Sequence, residues 1–269
     1  IENKYNQLFF KSLETTLSLQ KNNSKKYVTN ELKFRGFWDE QNGNITRNGK
    51  ALTQELNNPY FSIANKFKYM FTVGKQLMTF QSFVNFNQTP QSLLVMPGQF
   101  SDLLHNGRSF STLNQVVKLN AFQTNNAVSF TRNYKGIILS PAFGFSVQRQ
   151  QLRSELTRVS SANPVQLGSE FGNDLSWLQT RTYVKLKSEY RKKDWRYTLE
   201  TPLNYYQFSI QECILDEGQN LNRLAFEPRL GVTYEMNAFW KANVSVKRNA
   251  NLGELQNVHY GYILKNYRT

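Results

Sequence analysis

The sequence predicts an all-β protein, an antiparallel up-and-down sheet of about ten strands of the type that builds a transmembrane β-barrel. Three observations lead to this fold class. Apolar and polar side chains alternate in many segments, the alternation outlasts an ordinary globular strand, and short turns alternate with long connections. Aromatic residues, which favour strands, make up 14% of the chain. No stretch approaches the ~20 apolar residues that a membrane helix needs.

The first half of the chain holds four alternating segments. The turn "KNNSKK" separates the first two segments, and a tight "GKQ" turn joins the last two as a hairpin. The positions on the more apolar face are Leu13, Thr15, Leu17 and Leu19 in the first, Val28, Leu32, Phe34 and Trp38 in the second, Phe61, Ile63, Phe67, Tyr69, Phe71 and Val73 in the third, and Met78, Phe80, Val84 and Phe86 in the fourth.

The second half continues the pattern. The turn "RNYKG" follows one strand, "RKKD" joins a strand over residues 177–190 to the next, and "MNAF" joins the last pair. The alternating positions are Phe122, Val128 and Phe130; Leu139, Pro141, Phe143, Phe145 and Val147; Trp195, Tyr197, Leu199, Thr201, Leu203 and Tyr205; Phe226, Pro228, Leu230, Val232 and Tyr234; and Trp240, Ala242, Val244 and Val246.

The connections predict a sheet with two chemically different ends. Short turns at one end alternate with long polar links near residues 39–59, 88–113, 150–176 and 211–223. Transmembrane barrels have short turns on one side of the membrane and long loops on the other. Aromatic residues near strand ends predict interfacial girdles: Trp38, Trp177, Trp195, Trp240, Tyr60, Tyr134, Tyr190 and Tyr234.

Periodicity alone does not decide which solvent meets the apolar face, because a water-soluble sandwich and a lipid-facing barrel share the same alternation. Strand length, the unequal connections and the mixed charges of the polar face favour the barrel. In that arrangement Arg196, Glu200, Glu227 and Arg229 face a wet lumen, where opposite charges stabilise neighbouring strands. The alternative is a soluble all-β protein that binds a carbohydrate or another ligand.

Charge and chemistry narrow the function classes. The formal net charge of +14 is compatible with nucleic acid, but the basic residues are spread along the chain and no nucleic-acid-reading motif occurs, so solvated loops are favoured. The single Cys213 forms no internal disulfide, and His105 and His259 are too few for a zinc cluster. No metal or other cofactor is predicted. The first ten residues lack the features of a secretory signal.

Two motifs near the carboxyl end resemble a known family. "FEPRLGVTYEMN" and "GELQNVHYGYILKNYR", within residues 221–269, resemble the barrel portion of Gram-negative outer-membrane proteins related to TonB-dependent receptors. Upstream, "FQTNNAVSF" and "FGFSVQRQQLRSEL" are similar in kind. The resemblance implies a barrel of about twenty-two strands closed by a plug and driven by energy from the periplasm.

The chain departs from the family plan, because no plug-like segment, energy-coupling box or terminal aromatic strand is recognisable in it. We therefore expect residues 1–269 to be one incomplete barrel segment, without the plug domain and the remaining strands. The resemblance implies wall and extracellular loops of a nutrient receptor or transporter in the bacterial outer membrane. Its implied partners are outer-membrane lipid, a periplasmic energy-coupling protein and a surface lipoprotein.

Catalytic patterns do not stand out. No G-x-S-x-G elbow occurs, the acidic residues are scattered, and neither histidine has a partner in sequence, so we expect no enzyme activity. A polysaccharide-active enzyme is disfavoured because no paired carboxylates are evident. Ligand contact is predicted in the loops "MPGQFSDLLHNGRSF" and "SSANPVQLGSEFGNDLSW", with Phe100, Phe171 and Trp177 as stacking surfaces. The net charge suggests an acidic ligand as a hypothesis.

Overall fold

A computed structural model describes residues 2–23, 26–47, 50–74, 76–160, 163–214, 216–236 and 239–250. Within them it shows thirteen strands, one short α-helix (α1, Ser101–Leu104) and one 3₁₀ turn (Ser169–Phe171). The strands are β1 Glu2–Asn22, β2 Lys26–Arg47, β3 Lys50–Asn57, β4 Tyr60–Val73, β5 Gln76–Met96, β6 Thr112–Tyr134, β7 Ile137–Ser160, β8 Asn163–Gln166, β9 Asn173–Lys192, β10 Trp195–Glu212, β11 Glu217–Phe226, β12 Arg229–Glu235 and β13 Lys241–Lys247.

The thirteen strands form one antiparallel sheet with ten rows. Strands β3 and β4 follow each other in one row between β2 and β5, β8 and β9 share the row beside β7, and β11 and β12 share the row beside β10. The first and the third of these rows are interrupted at Pro59 and Pro228, and proline has no N–H to donate to a neighbouring strand. The predicted up-and-down sheet of about ten strands is confirmed in the described part of the chain.

The connections differ from the prediction in one respect. The segments near 39–59, 88–113, 150–176 and 211–223 were expected to be polar links, but most of their residues continue the strands, as in the β2–β3 hairpin. In these segments polar and apolar side chains still alternate, but the polar residues now lie on the face that is apolar in the rest of the strand. A segment of this kind has the overall polarity of a loop. Compact loops remain at residues 97–111 and 167–172.

One face of the sheet, called the outer face here, is apolar and open to its surroundings. Leu203 is 45% exposed and Leu230 52% exposed, and Val232 beside them is half-buried. These side chains therefore do not meet in a dry core, which is what a soluble sandwich requires. The exposed row continues across the sheet through Leu17, Leu32, Ile63, Val84, Phe86, Phe122, Val128, Phe143, Phe145, Val184, Leu186, Leu199, Leu224, Phe226, Val244 and Val246.

The polarity of both faces inverts along the strands. In β10 the outer face is apolar or aromatic, Thr201 excepted, at every second residue over Trp195–Tyr205, and then carries Gln207, Ser209 and Gln211. The inner face of β10 carries polar residues and Pro202 as far as Asn204, and then Tyr206, Phe208 and Ile210 before it ends at Glu212. The apolar outer band covers eleven residues, 195 to 205, which matches the ~9–11 residues of a tilted transmembrane strand. Beyond it the sheet has the pattern of a strand in water.

Two apolar clusters cover the inner face beyond this band. We call the first the strand cluster, and its buried members are Val117, Leu152, Leu175, Trp177, Tyr206, Phe208 and Ala225. The second, the loop cluster, is closed by α1 and the 3₁₀ turn, and its buried members are Leu93, Val95, Leu104, Phe110, Leu113, Leu156 and Phe171. Apart from Ala225, which lies between the outward Leu224 and Phe226, most members of both clusters lie where the outer face has become polar. The inversion is therefore a packing feature as well as a sequence pattern.

Aromatic side chains line the end of the outer band near the short turns. The Trp195 ring lies 4.5 Å from that of Tyr234 and 6.2 Å from that of Tyr197, and Tyr190 continues the row. Such a row of rings is compatible with the predicted interfacial girdle. Two residues of the predicted girdle lie elsewhere: Trp177 shares the inner face with Leu175, and Tyr60 shares it with Ser62. Among the described residues, no helix has the length and apolarity of a membrane span.

Candidate functional site: the polar inner face

The inner face carries a central cleft opposite the outer band. Its volume is about 730 Å³, and side chains from six strands between β1 and β9 line it, which shows that this face is concave. Lys66, Lys68 and Lys185 contribute three positive charges against the one carboxylate of Glu31. The Lys66 ammonium lies 3.8 Å from that carboxylate. The cleft therefore has a surplus of positive charge in a polar setting.

Tyr183 closes the floor of this cleft. Its hydroxyl donates a hydrogen bond of 3.2 Å to Asn125 Oδ1, two strands away. The ring can reach that far because Gly144, which pairs with Tyr183 in the register, has no side chain in its path. The Arg181 guanidinium lies 4.8 Å from the ring centroid, so a cation stacks on the same tyrosine.

A second cleft of about 260 Å³ adjoins the first. Lys33, Arg35 and Lys66 line it together with Glu31, again three cations against one carboxylate. Glu14 on the neighbouring strand β1 forms ion pairs with two of these cations. Its carboxylate lies 2.5 Å from Lys33 Nζ and 3.1 Å from Arg35 Nε. These charges form a cross-strand network, as mixed signs on one sheet face favour.

The predicted lumen residues come together at a third cleft. Arg196, Glu200 and Arg229 line a space of about 260 Å³ with Lys187, and Glu200 is directly opposite Arg229 in the β10–β12 register. Three cations again face one carboxylate. The Arg196 Nε is buried and has no hydrogen-bond partner in the described part of the protein. All three residues share the polar inner face, as the alternation predicts.

Glu227, the fourth predicted lumen residue, lies at the break between β11 and β12. Its Oε2 accepts hydrogen bonds from Asn204 Nδ2 at 2.6 Å and from the Tyr206 hydroxyl at 3.1 Å. Its Oε1 accepts one from the Ala250 backbone N–H at 2.6 Å. Asn204 and Tyr206 are buried, so this carboxylate satisfies polar groups that water does not reach. Its role is to tie the interrupted row to β10.

An acidic side chain marks the short-turn end of the inner face. Glu235 follows the aromatic row and lies outside the apolar band. Its carboxylate is 2.7 Å from Arg191 Nη2 and 3.1 Å from Lys241 Nζ. The hydrogen bond from Lys241, with the charges of Arg191 and Lys241, holds the pKa of Glu235 below its usual range.

The residues predicted to stack on a ligand do not form one site. Phe171 is 8% exposed and belongs to the loop cluster, while Trp177 is 7% exposed and belongs to the strand cluster. Phe100, which precedes α1 with φ 58°, is 47% exposed and is the one of the three that offers its ring to solvent. Ligand binding by these residues stays a prediction.

The remaining candidate residues are the two histidines and the cysteine. The His105 Nδ1 lies 3.1 Å from the Arg108 carbonyl oxygen, and its ring packs on Phe110, so it stabilises its own loop. Cys213 is exposed in the turn after β10. His259 and the motif "GELQNVHYGYILKNYR" lie outside the described residues. No group of three or more metal-binding side chains occurs in the described ranges.

Sequence reasoning placed Asn204 on the polar face but missed Asn125, Tyr183 and Tyr206 as parts of the inner face. Because side chains alternate between the two faces along a strand, counting along each strand would have placed these residues on the inner face. The contact between Tyr183 and Asn125 was not predictable in this way, because it depends on the registers of two strand pairs.

No protein-family model and no curated protein sequence matches the chain. Among solved structures it is similar to the siderophore receptor PiuA from Acinetobacter baumannii (6% identity, TM-score 0.45), covering 88% of this chain and 45% of that one. It is also similar to the ferric citrate transporter FecA (9% identity, TM-score 0.40), covering 88% of this chain and 43% of that one. A third similar structure is the ferric-catecholate import receptor Fiu from E. coli K12 (8% identity, TM-score 0.39), with 91% of this chain and 49% of that one covered. The chain spans less than half the length of each.

Proposed function

We propose that this chain is part of the wall of an outer-membrane receptor or transporter for nutrient uptake, and that it acts by binding and passage without covalent chemistry. The observation that carries the proposal is the eleven-residue outer band, which is apolar at all but one of its outward positions, opposite a polar, charged inner face. Water would be expected to meet the polar side, and hydrocarbon the apolar side. The inner face is then the surface along which a ligand moves.

The two edges of the sheet support the proposal that further strands complete the wall. In the described part of the chain, β1 and β13 each pair with a neighbour on one side only. Unpaired backbone N–H and C=O groups inside a bilayer cost several kcal/mol each, so membrane strands form closed barrels. We propose that other strands of the same protein close the barrel, and that its plug, its energy-coupling partner and a surface lipoprotein act with the whole.

The charge of the three clefts favours an anionic ligand. Each cleft is lined by three basic side chains and one carboxylate. Glu14 pairs with Lys33 and Arg35 beside the second cleft, and Glu189 lies 3.9 Å from Lys187 beside the third, so the positive surplus is largest in the first cleft. A concave surface of one sign concentrates ions of the opposite sign. Replacement of Lys68 and Lys185 by Gln is expected to slow the uptake of an anionic solute more than that of a neutral one. Lys21→Gln with Lys192→Gln, near the short turns, is the matched control. If the cleft variant and the control variant take up the anionic and the neutral solute at the same relative rates, this part of the proposal is contradicted.

Single-cysteine labelling tests the orientation of the wall. In a Cys213→Ser background, Thr198→Cys on the inner face should react with a small water-soluble thiol reagent, and its neighbour Leu199→Cys should react with a lipid-soluble one. Both tests use the full protein in bilayers. The alternative, a soluble ligand-binding protein, predicts that the protein stays in buffer without detergent and that Leu199→Cys is protected from both reagents.

A further inference from the structure

We propose that the third cleft of the inner face, centred on Gly231, binds a small tetrahedral oxyanion such as inorganic phosphate through Arg196 and Arg229. The inference rests on the proposed function, which makes the inner face a wet surface for anions, and it names the class of anion that this one cleft takes. The cleft has a volume of about 260 Å³. This is below the roughly 300–1,000 Å³ of pockets that hold drug-sized ligands, so the space suits a small ion.

A missing side chain forms the hollow of this cleft. Gly231 lies in the middle of β12, between Thr198 on β10 and Ser245 on β13 in the two registers. A Cβ on Gly231 would lie 2.6 Å from Thr198 Oγ1, and that hydroxyl instead donates a hydrogen bond of 3.3 Å to the Gly231 carbonyl oxygen. A glycine inside a strand often marks a position where a ligand approaches the backbone closely. The inner face is therefore open at the point on which the basic side chains around it can converge.

Two pairs of like charges flank Gly231, each two residues away along the strands. On one side Arg229 is directly opposite Lys247, and on the other Arg196 is directly opposite Arg191. Like charges directly opposite each other destabilise a sheet. At ~3.4 Å per residue, each pair lies about 7 Å from Gly231 along the strands, within the reach of an arginine side chain. An anion held between the two levels would remove the repulsion within both pairs.

The carboxylates on this part of the inner face compensate only some of the positive charge. Glu200 is directly opposite Lys187 on one side and Arg229 on the other. Glu189 lies 3.9 Å from Lys187 Nζ. Two carboxylates thus share Lys187, while Arg229 has Glu200 as a neighbour without an ion pair between them in the described ranges.

Arg196 keeps an unused donor. Its Nε is buried and has no hydrogen-bond partner in the part of the chain that the structure describes. Glu235, the carboxylate at the short-turn end, is bound instead to Arg191 and Lys241 at 2.7 Å and 3.1 Å. Buried polar groups are normally hydrogen-bonded, so the Arg196 guanidinium calls for an acceptor from a ligand.

The donor set fits a tetrahedral oxyanion. A guanidinium offers paired N–H donors that match two oxygens of a phosphate, and Arg196 and Arg229 approach the hollow from opposite levels. Asn243 and Ser245 also line the cleft, and Thr233 holds the Asn243 amide there by donating to its Oδ1 at 3.3 Å. Four oxygens can serve both guanidinia at once. A planar carboxylate has only two oxygens and would leave one guanidinium without an acceptor.

Isothermal titration calorimetry of the full-length protein in nonionic detergent, at constant ionic strength, tests the inference. The probes are inorganic phosphate, sulfate and acetate. Phosphate and sulfate should bind, and acetate should bind at least about tenfold more weakly than either. Arg196→Gln with Arg229→Gln should weaken phosphate binding at least about tenfold, which corresponds to the loss of one charge-assisted hydrogen bond or more. The control Arg132→Gln with Arg149→Gln removes two exposed arginines outside this cleft and should bind phosphate normally.

Unfolding midpoints give a second measurement on the same variants. Arg196→Gln with Arg229→Gln removes both like-charge contacts, so in phosphate-free buffer its midpoint should equal or exceed that of the unmodified protein. Excess phosphate should raise the midpoint of the unmodified protein but not that of the double variant. Lys247→Gln removes one like-charge contact and keeps both guanidinia, so phosphate should still stabilise it.

Four outcomes overturn the oxyanion site: equal phosphate binding by the double variant, equal loss in the control, equal binding of acetate, or a double variant that is less stable than the unmodified protein without phosphate. The uptake assay with Lys68→Gln and Lys185→Gln separates this inference from the proposed function. The expected uptake preference without phosphate binding contradicts the third-cleft site alone. Phosphate binding without any effect of Lys68 and Lys185 on uptake contradicts the proposed anionic path alone.

Discussion

The ring of Tyr183 occupies the space that a side chain on Gly144 would fill: a Cβ built on Gly144 would lie 2.0 Å from Tyr183 Cζ. The two residues are register partners on β7 and β9, and the tyrosine crosses β7 at this glycine to reach Asn125 on β6. One missing side chain thus permits a contact that links three strands of the inner face.

Gly144→Ala is expected to displace the Tyr183 ring and to lower the free energy of unfolding by about 1–3 kcal/mol, the usual effect of overpacking. Tyr183→Phe should keep the ring in place and lose about 1 kcal/mol with the hydrogen bond to Asn125. Denaturant unfolding in detergent micelles measures both. Gly218→Ala is the control, because its Cβ would meet only the Ile210 carbonyl oxygen at 3.7 Å. Equal stability of all three variants would refute the role of Gly144.

Glu227→Ala should loosen the junction of β11 and β12. The change leaves the buried Asn204 amide and Tyr206 hydroxyl without their acceptor, and each unsatisfied group costs about 1–3 kcal/mol. We expect faster amide hydrogen exchange in residues 202–206 and at Ala250, measured by mass spectrometry. Glu155→Ala, an exposed carboxylate, should leave exchange there unchanged. Unaltered protection in Glu227→Ala would show that the carboxylate does not hold the junction.

The outer band can be mapped by lysine substitution. Leu199→Lys places a charge among lipid-facing side chains and should destabilise the inserted protein by about 2–4 kcal/mol if it lies near the bilayer midplane. Ser209→Lys, on the same face of β10 but beyond the band, should be nearly neutral. Unfolding from lipid bilayers measures the difference. If both substitutions have the same effect, the inversion of polarity does not mark the membrane boundary.

Glu235 should titrate below the usual range of a glutamate, and its ion pairs with Arg191 and Lys241 should weaken as the pH falls through that lowered pKa. Because the folded-state pKa is depressed, the stabilising contribution is complete above the ordinary glutamate pKa and is lost on acidification. Carboxyl NMR of the labelled residue reports the midpoint. Lys241→Gln should raise it, and the distant Lys21→Gln should not. A midpoint unaffected by Lys241→Gln would contradict the assigned cause.

Alternation was sufficient to predict the strands, the apolar outer face and the sharing of one face by Arg196, Glu200 and Arg229. It does not predict the ends of the strands, because the polar residues there indicate loops. Gln207, Ser209 and Gln211 show that the same period of two continued there with the faces exchanged. That exchange was readable in the sequence.

Other features depend on registers and loop packing that no single segment encodes. Trp177 belongs to its cluster because β9 and β10 align it with Ile210. Phe171 is buried because the 3₁₀ turn folds against α1 and the strands below. The bonds of Glu227 combine β10, the proline break and the segment after β13. Contacts of this kind join residues far apart in the chain, so local patterns carry little information about them.

In the proposed membrane orientation, the exchange of faces also determines how deep the sheet lies in the bilayer. Sliding the wall by two residues in one direction would place Gln207 in hydrocarbon, and sliding it the other way would lift the Trp195 girdle level out of the interface. Every strand that inverts adds its own penalty to either displacement, so the penalties sum across the wall. A wall in this orientation would be held at one depth by its strands collectively, and the thickness of the neighbouring bilayer would have to match it.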